Sequence, residues 1–216
     1  MTEQEWLEAK NPCMMVFFLR RLGTDPRLVS HLTGKAMLRK VQLFVCAACR
    51  RDWYDLDDER RKRAVEVAER HADGLAKKPE LQKAREGAED ADRDDYRLYK
   101  PVHSLAVAAT KVAGEHAWNA LSRAATIDLL QCVFGNPFRA VVLDPEWLTP
   151  TVASLVRASY DERALPSGEL DPQRLAVLSD ALEEAGCDNH VILDHLRSPG
   201  PHVRGCWALD LVMGRG

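Results

Sequence analysis

Apolar residues recur at helical spacing along almost the whole chain, and few stretches alternate as strands do. A short helix is predicted over 2–9. Asn11-Pro12 then supplies an N-cap and a first-turn proline for a second helix, which Gly23 closes as a C′ residue. Asp25-Pro26 repeats the start signal for a short third helix ending near Gly34. From Lys35 to Tyr54, Leu38, Val41, Phe44, Val45 and Ala48 form one apolar stripe. Asp57 to Asp73 follows as an amphipathic helix, with Ala64, Val65, Ala68 and His71 on one side.

The pattern changes over Lys77–Lys100, which is dense in charge and poor in large apolar residues. It reads as an exposed helix with a frayed or looped end, the most flexible part of the chain. Val102 to Phe134 predicts one long alanine-rich helix through the core, kinked at Gly114. Gly135-Asn136-Pro137 ends it and opens an extended connection with room for at most a short strand. Asp144-Pro145 starts a helix to about Arg163, and Asp171-Pro172 starts another to Ala185, stopped by Gly186. Asp188 begins a short helix to Arg197, and a last helix spans about His202–Met213 after Ser-Pro-Gly-Pro. The expected fold is all-α, an irregular bundle of about eight to ten helices with little or no sheet. It divides into an N-terminal lobe (1–76), a charged variable segment (77–100) and a C-terminal lobe (101–216), packed as one unit.

Composition narrows the function classes. Of 216 residues, 46% are apolar and 29% charged, the balance of a globular chain rather than a disordered one. Lys and Arg number 30 against 33 Asp and Glu, a net charge of −3, so no global field draws nucleic acid or an anionic membrane. The opening MTEQEWLEAKNP lacks the basic and apolar regions of a signal peptide, and the run Met14–Leu19 is too short to span a bilayer. These features predict a cytoplasmic protein with no membrane partner. In that reducing compartment the six cysteines read as buried thiols or metal ligands rather than disulfides.

Two pairs stand out among them. Cys46 and Cys49 are spaced i, i+3 and His202 and Cys206 i, i+4, so each pair shares a face on a predicted helix. Two thiolate and imidazole pairs are the donors tetrahedral zinc selects, and the ion would tie the chain's end to its first third. Cys187, His190 and His195 are reserve donors in the same region. The same thiols also fit plain core packing, and the Cys-x-x-Cys falls mid-helix, away from the helix N-terminus that activates a redox pair.

Arg50, Arg51, Arg60, Arg61, Lys62 and Arg63 lie close in sequence with Trp53 and Tyr54, the composition of a nucleic-acid surface. Asp52, Asp55, Asp57, Asp58 and Glu59 are interleaved, so intramolecular ion pairing competes with that reading. His71, His103 and His116 read as packing or surface groups, and Glu115-His116 is not part of a His-Glu-x-x-His. No phosphate-binding glycine loop or nucleophile elbow occurs, and no catalytic residue is assigned.

LFVCAACRR (43–51), AVEVAERHADGL, GNPFRAVVLDPEWL and PGPHVRGCWALDLVMG resemble a family of uncharacterised planctomycete proteins. The resemblance covers both ends of the chain and is weak over 77–118. In that family cysteine is common where this chain has Ala48, which implies that a third thiol there is dispensable. The resemblance carries no activity. The leading expectation is a non-catalytic helical interaction or regulatory protein, its partner another protein, stabilised by a structural zinc site. A nucleic-acid-associated protein using Arg50 to Arg63 is the alternative, and a metal- or thiol-dependent enzyme is the third.

Overall fold

The computed structural model describes residues 1–22, 34–94, 100–111 and 115–215. Among them are twelve α-helices and no strand: α1 (Glu3–Leu7), α2 (Pro12–Leu22), α3 (Gly34–Arg51), α4 (Glu59–Ala72), α5 (Lys78–Asp94), α6 (Pro101–Ala109), α7 (Glu115–Ala124), α8 (Ile127–Phe134), α9 (Pro150–Asp161), α10 (Pro172–Glu184), α11 (His190–Arg197) and α12 (Trp207–Val212). The all-α expectation holds. The predicted helix from Asp25-Pro26, its Gly23 neighbour, the Gly114 kink and the side chain of His116 fall outside the described residues.

Helix onsets follow the side-chain caps available in the sequence. Thr2 and Glu5 form a reciprocal capping box on α1. Asn11 Oδ1 accepts the Cys13 N–H at 3.0 Å, and Asp171 Oδ1 accepts that of Gln173 at 2.8 Å. Two onsets move from their predicted places. Asp144-Pro145 starts only a 3₁₀ turn, Pro145–Trp147, and α9 begins five residues later at Pro150 with Thr149 as its cap. Asn189, not Asp188, caps α11. In both cases the second oxygen-bearing residue meets the free N–H groups of the turn that continues.

The centre of the molecule is α3, which packs against α4, α6, α7 and α8. It buries Met37, Val41, Phe44, Val45, Cys46, Ala48 and Cys49 on its faces. The single long helix expected over Val102–Phe134 is three helices, α6 to α8. Thr110 ends the first, its hydroxyl bonding back to Val107 O at 2.6 Å, and Thr126 takes an extended backbone before the third. The breaks let a short chain wrap α3 from several sides instead of leaving along one axis.

The charge-dense segment is also more ordered than its composition predicts. Its seventeen residues Lys78–Asp94 form α5, packed on α4 and α6 with Leu81, Ala84, Ala88 and Ala91 buried at 3, 4, 3 spacing. Small side chains allow close helix approach, so the seam needs few large apolar groups while the charges face outward. At the other end, α9 packs on α10 and α10 on α11, and α12 touches α8, α9 and α11. Thus α12 stands where the C-terminal helices meet the α3-centred bundle. No helix among the described residues is long and apolar enough to cross a membrane.

Candidate metal centre

Four donors converge at that junction: Cys132, His195, His202 and Cys206, with their ligand atoms all within 4.8 Å of one another. Cys132 comes from α8, and His195 from the last turn of α11. His202 and Cys206 flank a tight turn, and Cys206 is the N-cap of α12. The final helix expected from His202 therefore starts only at Trp207, and the pair is brought together by a turn rather than by a helix face. In that turn the Cys206 N–H donates to Val203 O at 2.9 Å, and Gly205 has φ +87°. A positive φ at the third turn position favours glycine. An ideal Cβ on Gly205 would also lie 3.0 Å from Leu43 Cδ1.

The donor atoms are arranged as ligands. His195 Nε2 lies 3.1 Å from Cys206 Sγ. His202 Nε2–H donates to Ser198 O at 2.9 Å, while its buried Nδ1 has no hydrogen-bond partner. That bond fixes the tautomer and leaves a lone pair on Nδ1, the usual outer support of a metal-bound imidazole. The Ser198 hydroxyl donates to His195 O at 2.7 Å and lies 3.3 Å from His202 Nε2, so one residue orients both imidazole-bearing segments. The two rings meet edge to face at 5.0 Å, and Trp207 packs 5.1 Å from His195.

Electrostatics favour thiolate. Burial opposes ionisation of Cys206, but the Cys132 S–H donated to its sulfur and the imidazoles of His195 and His202 outweigh it. The Cys206 thiol is held well below its ordinary value. Donating to that sulfur, together with burial, pushes Cys132 well above it. His202 is raised, since burial is outweighed by the negative Cys206 sulfur. The buried Lys40 ammonium adds positive charge close by, donating to Val133 O at 2.8 Å, Gly205 O at 3.2 Å and Asp210 Oδ2 at 3.0 Å. A divalent cation would take the place of the proton shared between the two sulfurs.

Two sulfur and two nitrogen donors suit zinc, and a tetrahedron at ordinary Zn–S and Zn–N bond lengths has edges of roughly 3.3–3.8 Å. The four donor atoms lie within 4.8 Å of one another, and an ion that took all four would have no open position.

Of the predicted metal set, His202 and Cys206 are in the cluster and the reserve His195 joins them; Cys46 and Cys49 do not. Both of those lie buried in α3, with Cys46 Sγ 3.9 Å from Val65 O, on the side of α3 that meets α4. Burial, with the Glu69 charge, pushes both thiols up, as befits packing groups. Cys187 is buried after α10 and His190 is exposed at the start of α11, and neither takes part. Cys132 was missed because a lone cysteine in the apolar run IDLLQCVF has no spaced partner and looks like any core residue.

The basic stretch is largely consumed internally. Arg50 is buried and grips Glu69 with two bonds of 2.7 and 2.8 Å. Arg61, also buried, reaches Asp57 at 3.0 Å and Asp92 at 2.9 Å. Arg60 pairs with Asp58 and Asp94 at 2.8 Å each, and Lys62 with Glu59 at 2.7 Å. Arg51 and Arg63 face solvent, with Arg51 3.7 Å from Asp52. His71 lies 3.3 Å from Gln42 Oε1 and the buried His103 3.1 Å from Asp55 O, both as packing groups. No family model, curated protein or solved structure matches this chain.

Proposed function

We propose that Cys132, His195, His202 and Cys206 hold one zinc ion as a closed structural site, and that the protein works by binding rather than by catalysis. The observation that carries this reading is His202: it belongs to the four-residue donor cluster, its Nε2–H is committed to Ser198 O, and its buried Nδ1 has no hydrogen-bond partner. A buried polar atom left without a bond costs free energy, and a metal ion removes that cost. Four protein ligands leave no open position for a substrate or a reactive water. The interior thiols Cys46 and Cys49 are pushed toward the unreactive protonated form, which speaks against thiol chemistry there. The partner is read as another protein, since the basic residues of α3 and α4 are mostly spent on carboxylates of the same chain.

Elemental analysis of protein purified without a histidine tag tests the site. Stoichiometric zinc is expected, lost in Cys132→Ser and in Cys206→Ser and retained in Cys46→Ser. Structural zinc contributes on the order of 10 kcal/mol to small zinc domains, so chelation should lower the melting temperature clearly. Metal-free protein from zinc-supplemented growth, or zinc retained in Cys206→Ser, would remove the proposal.

A further inference from the structure

A second constellation lies beyond the Cys/His cluster, where the first turn of α3, the last turn of α4 and the C-terminal tail line an open cleft of about 420 Å³. Its lining includes Lys35, Arg39, Asp73, Gly74 and Arg215. That volume falls within the usual range of small-molecule sites, about 300–1,000 Å³.

Beneath the cleft lie two carboxylates, Asp73 with both oxygens engaged and Asp210 with its partners on Oδ2 and its buried Oδ1 without one. Asp73, almost wholly buried, accepts from Arg39 at 2.8 Å and from the Tyr160 hydroxyl at 2.8 and 3.0 Å. Arg215 lies 3.5 Å and Arg204 3.7 Å from the same carboxylate. Asp210, fully buried, takes Arg39 at 2.6 Å and Lys40 at 3.0 Å. Arg204 and Arg215 also stack over the Tyr160 ring, at 5.2 and 4.8 Å. Four cations (Arg39, Lys40, Arg204 and Arg215) therefore face the two buried carboxylates and, at 3.8 Å from Arg204, the exposed Asp161, and the exposed Lys35 adds a fifth positive charge to the lining. Positive charge is left over in a partly desolvated place. Arg204 Nε is buried without a hydrogen-bond partner, so even the donors are not exhausted.

We propose that this cleft binds a small phosphate-bearing anion, held by Lys35 and Arg215 at the rim and by Arg39 at the floor. A phosphoryl group carries nearly two negative charges at neutral pH and offers several acceptor oxygens to guanidinium forks, which matches the surplus here better than the single charge of a carboxylate. Asp73 and Tyr160 hold the Arg39 and Arg215 guanidinium groups in place before the anion arrives, which lowers the cost of ordering them. The site is separate from the metal centre, so either proposal can fail without the other. The link between them is Arg204, which belongs to the turn between His202 and Cys206.

The test uses inorganic pyrophosphate with the whole protein as purified, whatever its metal content, at low ionic strength, followed by titration calorimetry and thermal melts, with citrate as the carboxylate control. Saturable binding that raises the melting temperature and weakens with added salt is expected. Lys35→Gln and Arg215→Gln should each weaken it by about tenfold or more while leaving zinc content unchanged. Absence of saturable pyrophosphate binding, or equal affinity in the Lys35→Gln/Arg215→Gln double variant, would overturn the assignment. Citrate binding as tightly as pyrophosphate would overturn the choice of phosphate.

Discussion

Glu69 shows what a single residue can hide. Arg50 and Arg163 each clasp its carboxylate with two bonds, of 2.7 and 2.8 Å from Arg50 and 2.7 and 2.6 Å from Arg163. Burial alone would raise its carboxyl, but the bonds from Arg163 and Arg50 outweigh it and hold the group below its ordinary 4.5. A depressed carboxylate contributes stability that is fully present above its unfolded value and lost as pH falls through the folded one. Urea melts at a series of pH values should therefore show the native protein losing stability from roughly pH 4.5 downward. Glu69→Gln should be less stable at neutral pH by about 3–5 kcal/mol, because two buried guanidinium groups lose their partner, and flatter in acid. Parallel pH curves for the two proteins would refute this role. The sequence shows Arg50 only as one charge in a basic run; Glu69 and its second partner Arg163 lie further along the chain, and no local spacing announces the meeting.

At the scale of elements, local signals carried much and misplaced some boundaries. Caps placed α2 and α10 correctly because a cap is a bond between residues two or three apart. The turn over 203–206 was read as helix because His202 and Cys206 have helical spacing, and the close approach of Leu43 that excludes a side chain at Gly205 comes from distant α3. Gly205→Ala and Gly74→Ala separate the two effects. Both positions have positive φ, +87° and +76°, but nothing lies within 4 Å of a Cβ at Gly74. Gly74→Ala should cost about 1 kcal/mol from backbone strain. Gly205→Ala should cost about 2–3 kcal/mol, because Leu43 must also yield, and should weaken zinc retention. Denaturant midpoints and metal content check both; equal costs would mean that Leu43 moves aside freely.

For the whole molecule, the Cys132, His195, His202 and Cys206 cluster is the place where α8, α11 and the start of α12 meet, and the proposed ion would tie them together. Hydrogen exchange after chelation should show α11 and α12 losing protection while α3, α4 and α5 keep theirs, since α4 packs on both α3 and α5 without it. A uniform loss would make the ion a support of the entire fold instead. The sequence by itself determined the all-α class and most helix starts, and it named three residues of the cluster, His202 and Cys206 with His195 in reserve, because periodicity, caps and a Cys/His pair four residues apart are all local properties. It also held the charge balance that weighed against a nucleic-acid surface, since the acids that consume Arg60, Arg61 and Lys62 are partly interleaved with them. Tertiary structure alone decided which cysteine completes the set. Cys132 and Cys206 lie on helices that touch only after the chain has turned around α3, whereas Cys46 and Cys49, better spaced on paper, point to the α4 side of that helix. The cleft beneath Lys35 and Arg215 arose in the same way, from charges remote in sequence and gathered by packing.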